Sequence, residues 1–243
     1  MKITNIGDLY QLTFLPHFFP VNCYLVEEKN SLTLIDAALP HSSRGIIRAA
    51  QKIGKPITKI VLTHAHDDHV GALDSLKEQL PHALVYISKR DARLMEGDRS
   101  LDSHETNTPI KGGVSNKIQT RADVLLKEGD KIGSLEAISA PGHTPGSMAF
   151  HDPRTGVLIA GDAFQTRGGF AIAGQLVPLF PFPKWGTWDE KEAAITARKL
   201  YDINPVLLAV GHGKMLENPL PLIKKALEKS PFLTTDIKDK RSS

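Results

Sequence analysis

The sequence predicts an α/β fold, a four-layer αβ/βα sandwich of two sheet-plus-helix halves packed sheet to sheet. Two observations predict it. Short apolar runs alternate with helical stretches in both halves of the 243-residue chain. Histidines and aspartates follow directly on the ends of several of these runs, where ligand sites gather in α/β proteins. No fixed-period repeat and no linker rich in Pro, Gly or Ser divides the chain. Residues 1–243 therefore read as one domain, with 230–243 as a loose C-terminal tail.

The elements follow in order. MKITNIG, LYQLTFL, NCYLVEE and SLTLIDA read as strands, with KNS turning the last two into a hairpin. A helix is expected over Ser43–Ile53, then the strand KIVLTH, then a helix from about His69 to Gln79. ALVYIS continues as a strand and SKRDARLMEG as a short helix. Periodicity then disappears over residues 97–121, a long loop of the kind that serves as a lid or binding segment. DVLLK, LEAISA, SMAFHD and VLIAGD restore the strands. An extended Phe/Pro/Gly-rich segment covers residues 163–188. A helix over Asp189–Tyr201, the strand PVLLAVGH and the helix PLPLIKKALEK complete the pattern.

Composition bounds the function classes. The chain is 41% hydrophobic and 23% charged, enough to bury a sizeable core, with a net charge of only +3. Without clustered Lys/Arg outside the terminal KDKRSS, no nucleic-acid partner is expected. The single cysteine, Cys23, lies in a strand-like run and reads as a buried small residue. No apolar run approaches the length of a membrane span. The N-terminus does not read as a signal peptide, so a cytoplasmic protein acting on a small molecule is expected. The oligomeric state is open.

The chemistry concentrates in VLTHAHDDHVGAL, where His64, His66, Asp67, Asp68 and His69 fall within six residues. A core does not tolerate such groups unpaired, whereas a metal site uses them. His143, Asp162 and His212 recur in the same context, each after an apolar run and beside a glycine. Five imidazoles and two carboxylates without a thiolate suit Zn²⁺ first, with Mn²⁺ or Fe behind it. They exceed the needs of one ion, so two metals per chain are expected. His64 and His66, two apart on an extended strand end, point the same way and can share one ion. Asp68 and His69 lie across the turn and can aim at its neighbour. His17, His41, His82, His104 and His151 lack this context, although His104 would meet a substrate if its loop folds over the site.

Taken together, THAHDDH, PGHTPGS, AGDAF and VGHG resemble the motifs of the metallo-β-lactamase superfamily, in that family's order and over most of the chain. The resemblance implies the metallo-β-lactamase-like αβ/βα sandwich with metals in a groove at the sheets' edges. It implies that His64, His66 and His143 bind one metal, that Asp68, His69 and His212 bind a second, and that Asp162 bridges them. Asp36 matches an acidic position that orients a ligand imidazole from behind. Asp67 falls on a variable position and reads as a solvated residue near the entrance. The implied enzyme is a binuclear zinc hydrolase in which two cations share a water, so that hydroxide attacks an ester-type carbonyl. Asp68 is then the catalytic proton carrier.

The resemblance does not carry β-lactam hydrolysis with it. True β-lactamases of the superfamily lack the bridging aspartate, and several use a cysteine there. Glyoxalase II adds a glutathione-binding helical region after the last ligand, and little follows His212 here. Acyl-homoserine lactonases place a tyrosine near the bridging aspartate, and residues 163–188 hold none. The expectation is cleavage of a small ester, thioester or lactone. Alternatives on the same fold are an iron-dependent sulfur oxidoreductase of the persulfide dioxygenase kind, an RNA-processing phosphodiesterase and a non-catalytic binding protein. Phe18, Phe19, Phe164 and Arg167 are the candidate substrate contacts. One of the two adjacent rings, Phe18 or Phe19, is expected to touch the groove.

Overall fold

The computed structural model describes residues 1–114 and 117–233. Seven strands make the first sheet: β1 (Lys2–Ile6), β2 (Leu9–Phe14), β3 (Val21–Glu27), β4 (Leu32–Ile35), β5 (Ile57–Val61), β6 (Leu84–Ser88) and β7 (Val124–Leu126). Their spatial order is the chain order, antiparallel from β1 to β4 and parallel from β4 to β7. Parallel pairing requires crossovers. These carry α1 (Ser43–Ile53), then α2 (Asp67–Val70) and α3 (Leu73–Gln79), then α4 (Lys89–Met95).

The second sheet begins with β8 (Lys131–Ile132), β9 (Leu135–Ser139), β10 (Met148–Asp152) and β11 (Val157–Ile159). A two-stranded ribbon, β12 (Phe164–Gln165) and β13 (Ala171–Ile172), follows with the short helix α5 (Phe182–Gly186) and with α6 (Glu190–Asp202). β14 (Leu207–Ala209) and β15 (Leu216–Glu217) complete the sheet in the order β15-β14-β11-β10-β9-β8, and α7 (Leu220–Glu228) closes the fold.

The two-residue period of the strands builds the layers. In β3, Cys23 and Leu25 face α1 and α3, whereas Tyr24 and Val26 face the other sheet. In β11, Val157 and Ile159 enter the space between the sheets and Leu158 faces α6 and α7. Three apolar cores result, one between the sheets and one under each helical layer. This is the αβ/βα sandwich.

Polar groups lock the sheets together beside the future site. Asn22 N–H donates to Gly211 O at 2.9 Å, and Asn22 Nδ2 donates to Val210 O and Gly213 O. Tyr24 Oη donates to Val210 O at 2.6 Å and accepts from Val210 N–H at 2.9 Å. Tyr24→Phe leaves the Val210 N–H without its acceptor. A lost buried bond of this kind costs about 1–3 kcal/mol, a fall of roughly 2–12 °C in Tm for a chain this long. Calorimetry that finds no shift would remove Tyr24 from the account of how the sheets are held.

The structure departs from several expectations. The helix expected from His69 to Gln79 is two helices, because Gly71 packs against Ala38 and Pro40 too closely for a Cβ, and its N–H donates to Ala38 O. The short elements β8, β12, β13, β15 and α5 carry no readable period, so none was predicted. The described part of loop 97–121 holds no helix or strand, only an isolated bridge from Val114 to His66. At the C-terminus Ser230 is buried and Leu233 packs on the second core, so the expected tail does not begin at 230. Residues 234–243, which include KDKRSS, lie outside the described residues.

Candidate metal centre

Each ligand-type side chain is delivered by a loop at the end of a strand. His64 and His66 follow β5, and Asp68 and His69 open α2. His143 sits after β9, Asp162 in a single 3-10 turn after β11, and His212 after β14. Glycines allow the loops to crowd. A Cβ at Gly211 would collide with Asp162 Oδ1, and one at Gly112 would collide with the His66 ring. The seven side chains meet in three overlapping clusters: His64, His66 and His143; His64, His69 and Asp162; Asp68, His69 and His212. In each cluster the ligand atoms lie within 4.8 Å of one another.

The outward nitrogen of every ring is held by an acceptor, which assigns the tautomers from the network. His66 Nε2–H donates to Lys111 O at 3.0 Å, and His212 Nδ1–H donates to Pro20 O at 2.7 Å. His69 Nδ1–H donates to Asp36 Oδ2 at 2.8 Å. Thr63 Oγ1 spends its proton on Asp36, so it accepts from His64 Nδ1–H at 3.0 Å. Thr187 Oγ1 spends its proton on Pro183 O, so it accepts from His143 Nδ1–H at 3.2 Å. In the neutral form of each ring, all five remaining nitrogens therefore present lone pairs inward.

That arrangement suits metal ions. His66 Nδ1 faces His143 Nε2 at 3.0 Å, lone pair to lone pair. Buried His64 Nε2, His69 Nε2 and Asp162 Oδ1 have no hydrogen-bond partner. The Asp162 carboxylate lies 3.3 Å from His143 Nε2, 3.4 Å from His69 Nε2 and 3.2 Å from His212 Nε2. Asp68 Oδ2 lies 3.4 Å from His212 Nε2. Ligands bonded to zinc at about 2.0–2.1 Å in a tetrahedron stand roughly 3.4 Å apart. The carboxylate–imidazole separations match that spacing.

The electrostatics of the bare polypeptide agree. Burial, followed by the neighbouring imidazoles His69, His66 and His143, pushes His64 well below the usual histidine range. Burial also holds His143 down, to about 3, against the opposing pull of Asp162. At His69 burial opposes protonation, but the Asp162, Asp36 and Asp68 carboxylates outweigh it and drive the ring well above its ordinary value. His212 is raised in the same way, burial being overcome by Asp162 and Asp68. Burial acts against the charge on Asp162, yet His212 and His69 hold it well below the ordinary carboxylate range. A buried anion thus draws positive charge into this space.

A groove of about 380 Å³ opens onto these side chains. Phe19, Phe182, Pro183 and Trp185 line one wall, with Gly112 and Gly113 of the long loop on another. Phe19 lies 5.2 Å from the His212 ring and 5.0 Å from Phe182. Asp67 stands exposed at the lining.

A family model described as the metallo-beta-lactamase superfamily matches residues 17–212. The chain belongs to the metallo-β-lactamase superfamily. It is 56% identical over 230 residues to the uncharacterized protein YobT of Bacillus subtilis (strain 168), covering 95% of this chain and 99% of YobT. The probable metallo-hydrolase YflN of the same strain is 30% identical over 212 residues, 79% of this chain and 80% of YflN. Among solved structures, TTHA1623 in a di-iron-bound form superposes with a TM-score of 0.64 at 27% identity, covering 92% of this chain and 99% of the other.

For this superfamily member, the structure brings together all seven expected ligand residues, with Asp36 behind His69. It does not bring all the candidate substrate contacts to the groove. Phe19 lines it, while Phe18 points to solvent. Phe164 is buried in the second core against Phe170, because β12 turns its ring under the ribbon. Arg167 is displaced to a neighbouring groove, where its guanidinium donates to His17 O. His104 remains exposed, beside acids whose carboxylates Arg90 and Arg93 hold.

One residue with a positioning role escaped the sequence reading. Fully buried Asp91 accepts from Ala65 N–H at 2.9 Å, Thr144 Oγ1 at 2.7 Å and Gly146 N–H at 2.8 Å. It ties the loop of His64 and His66 to the loop of His143. In SKRDAR it looks like any acid in the first turn of a helix, so no local signal distinguishes it.

Proposed function

We propose that this protein is a metal-dependent hydrolase with a resident ion pair that cleaves a small ester, thioester or lactone. The observation that carries the reading is the convergence of five imidazole lone pairs and two carboxylates on one space beside an open groove. His64, His66 and His143 would hold one ion, Asp68, His69 and His212 the other, and Asp162 would touch both. The imidazole and carboxylate donors favour zinc. Bound there, two cations supply Lewis acidity toward a carbonyl and lower the pKa of water. Asp68 is partly exposed beside the groove, suited to orient the attacking water, take its proton and return it to the leaving group. YflN, named a probable metallo-hydrolase, supports the reaction type.

Iron is the second reading of the metal, supported by the di-iron form of TTHA1623. An RNA phosphodiester is disfavoured, because among the described residues no Lys or Arg lines the groove to pair with the phosphates flanking a scissile bond. The single, buried Cys23 is in keeping with a cytoplasmic setting.

The test loads metal-free protein with zinc, manganese or iron, removes weakly held metal and measures content and turnover on esters, thioesters, lactones and phosphodiesters. Two equivalents per chain and carboxylic-ester-type hydrolysis are expected. Content that never exceeds one equivalent rejects the ion pair. One iron with oxygen uptake on a persulfide, and no hydrolysis, replaces the reading with a dioxygenase.

A further inference from the structure

The metal groove continues into an exposed apolar rim. Phe182 and Trp185 line the groove and also face solvent, Trp185 with 62% of its surface exposed. On the same wall Phe18, one residue before groove-lining Phe19, is 86% exposed. Contacts between the rings join these segments: Phe19 lies 5.2 Å from Phe180 and 5.0 Å from Phe182, and Phe182 lies 5.7 Å from Trp185. Single exposed apolar side chains are ordinary, but several gathered at the mouth of one polar site mark a binding surface.

We propose that this rim binds the aliphatic chain of the substrate, which makes the favoured substrates uncharged esters, thioesters or lactones of medium- to long-chain acids. The proposal rests on the hydrolase reading and deepens it. Two features commit the rim to a chain attached to the reacting carbonyl. It is continuous with the groove wall, so a chain leaving a carbonyl at the metal residues runs onto it without a break. Among the described residues the groove lining holds no Lys or Arg, so away from the metal residues nothing there pairs with an anionic tail such as a peptide carboxylate or a phosphate. Phe182 and Trp185 are stacked edge to face at an interplanar angle of 83° and present both a ring face and an edge to a methylene chain.

Burying one methylene fully is worth about a factor of four, and half-burying it on an open wall about a factor of two. The six further methylenes of p-nitrophenyl decanoate over the butyrate then raise kcat/KM by roughly 60-fold. A readout free of turnover runs in parallel: decyl methyl ketone should quench tryptophan fluorescence at a far lower concentration than butyl methyl ketone.

The decisive variant is Phe182→Ser with Trp185→Ser, at positions exposed enough to change without opening a core. It should reduce the decanoate-to-butyrate ratio to less than about tenfold, and Phe182→Ser alone, which keeps the Trp185 reporter, should narrow the ketone preference. Leu84→Ser, an exposed apolar position on β6 outside the groove, should leave the ratio unchanged. A wild-type ratio near one with butyrate still hydrolysed overturns the rim and leaves the hydrolase standing. Failure to cleave either ester counts against the hydrolase, while the ketone titration still decides the rim. Chain-length-independent hydrolysis together with binding to phosphatidylcholine vesicles assigns the rim to a membrane surface and overturns the proposal.

Discussion

Asp162→Ala is expected to empty both ion positions and abolish turnover. This carboxylate lies against His143, from the first set of three ligands, and against His69 and His212, from the second. It is the buried anion that would offset the two proposed cations, and its loss would leave them facing each other with less screening. Removing one partner from a buried ionic contact costs about 3–5 kcal/mol, equivalent to roughly 10²–10⁴-fold in ion affinity. His212→Ala should mainly weaken the position formed with Asp68 and His69. The check is elemental content at graded free metal for wild type and both variants, with a thermal melt of each to confirm folding. Selective loss of the same single ion in both variants would falsify the shared role of Asp162.

The second large effect concerns Asp68. Asp68→Asn preserves shape and one acceptor oxygen but removes the charge that would balance the proposed cations and take the proton. Turnover should fall by about 100-fold or more, the scale of general acid–base assistance. The position formed by His64, His66 and His143 should remain filled, since none of those side chains is altered. Content and rate must be measured on the same sample, because losing the second ion would lower the rate as well. An Asn variant with both ions and near-normal turnover leaves Asp68 without a proton role.

Much of this site could be read from the chain because strand ends and tight turns are local events. His64, His66, Asp68 and His69 fall within six residues, so their convergence needs only one strand and one turn. The element order, and the short continuous apolar runs in NCYLVEE and SLTLIDA, supplied strands buried on both faces. Local periodicity fails where an element is too short to show one, as in β8, β15 and α5, or where a distant contact cuts an element, as Ala38 and Pro40 do at Gly71.

By itself, then, the sequence determined the layered fold and singled out the seven side chains that the structure gathers in one place, because strand-end motifs are local patterns. Only the tertiary structure decided which outward nitrogen of each ring is held, since the acceptors come from far along the chain: Lys111 for His66, Thr187 for His143, Pro20 for His212. It also decided that Phe19 lines the groove while Phe18 and Phe164 do not, and that Asp91 ties two ligand loops together. The physical reason is common to all of these. An aromatic ring or a buried carboxylate takes its role from whatever packs against it, and that neighbour is brought in by the closure of two sheets on one another.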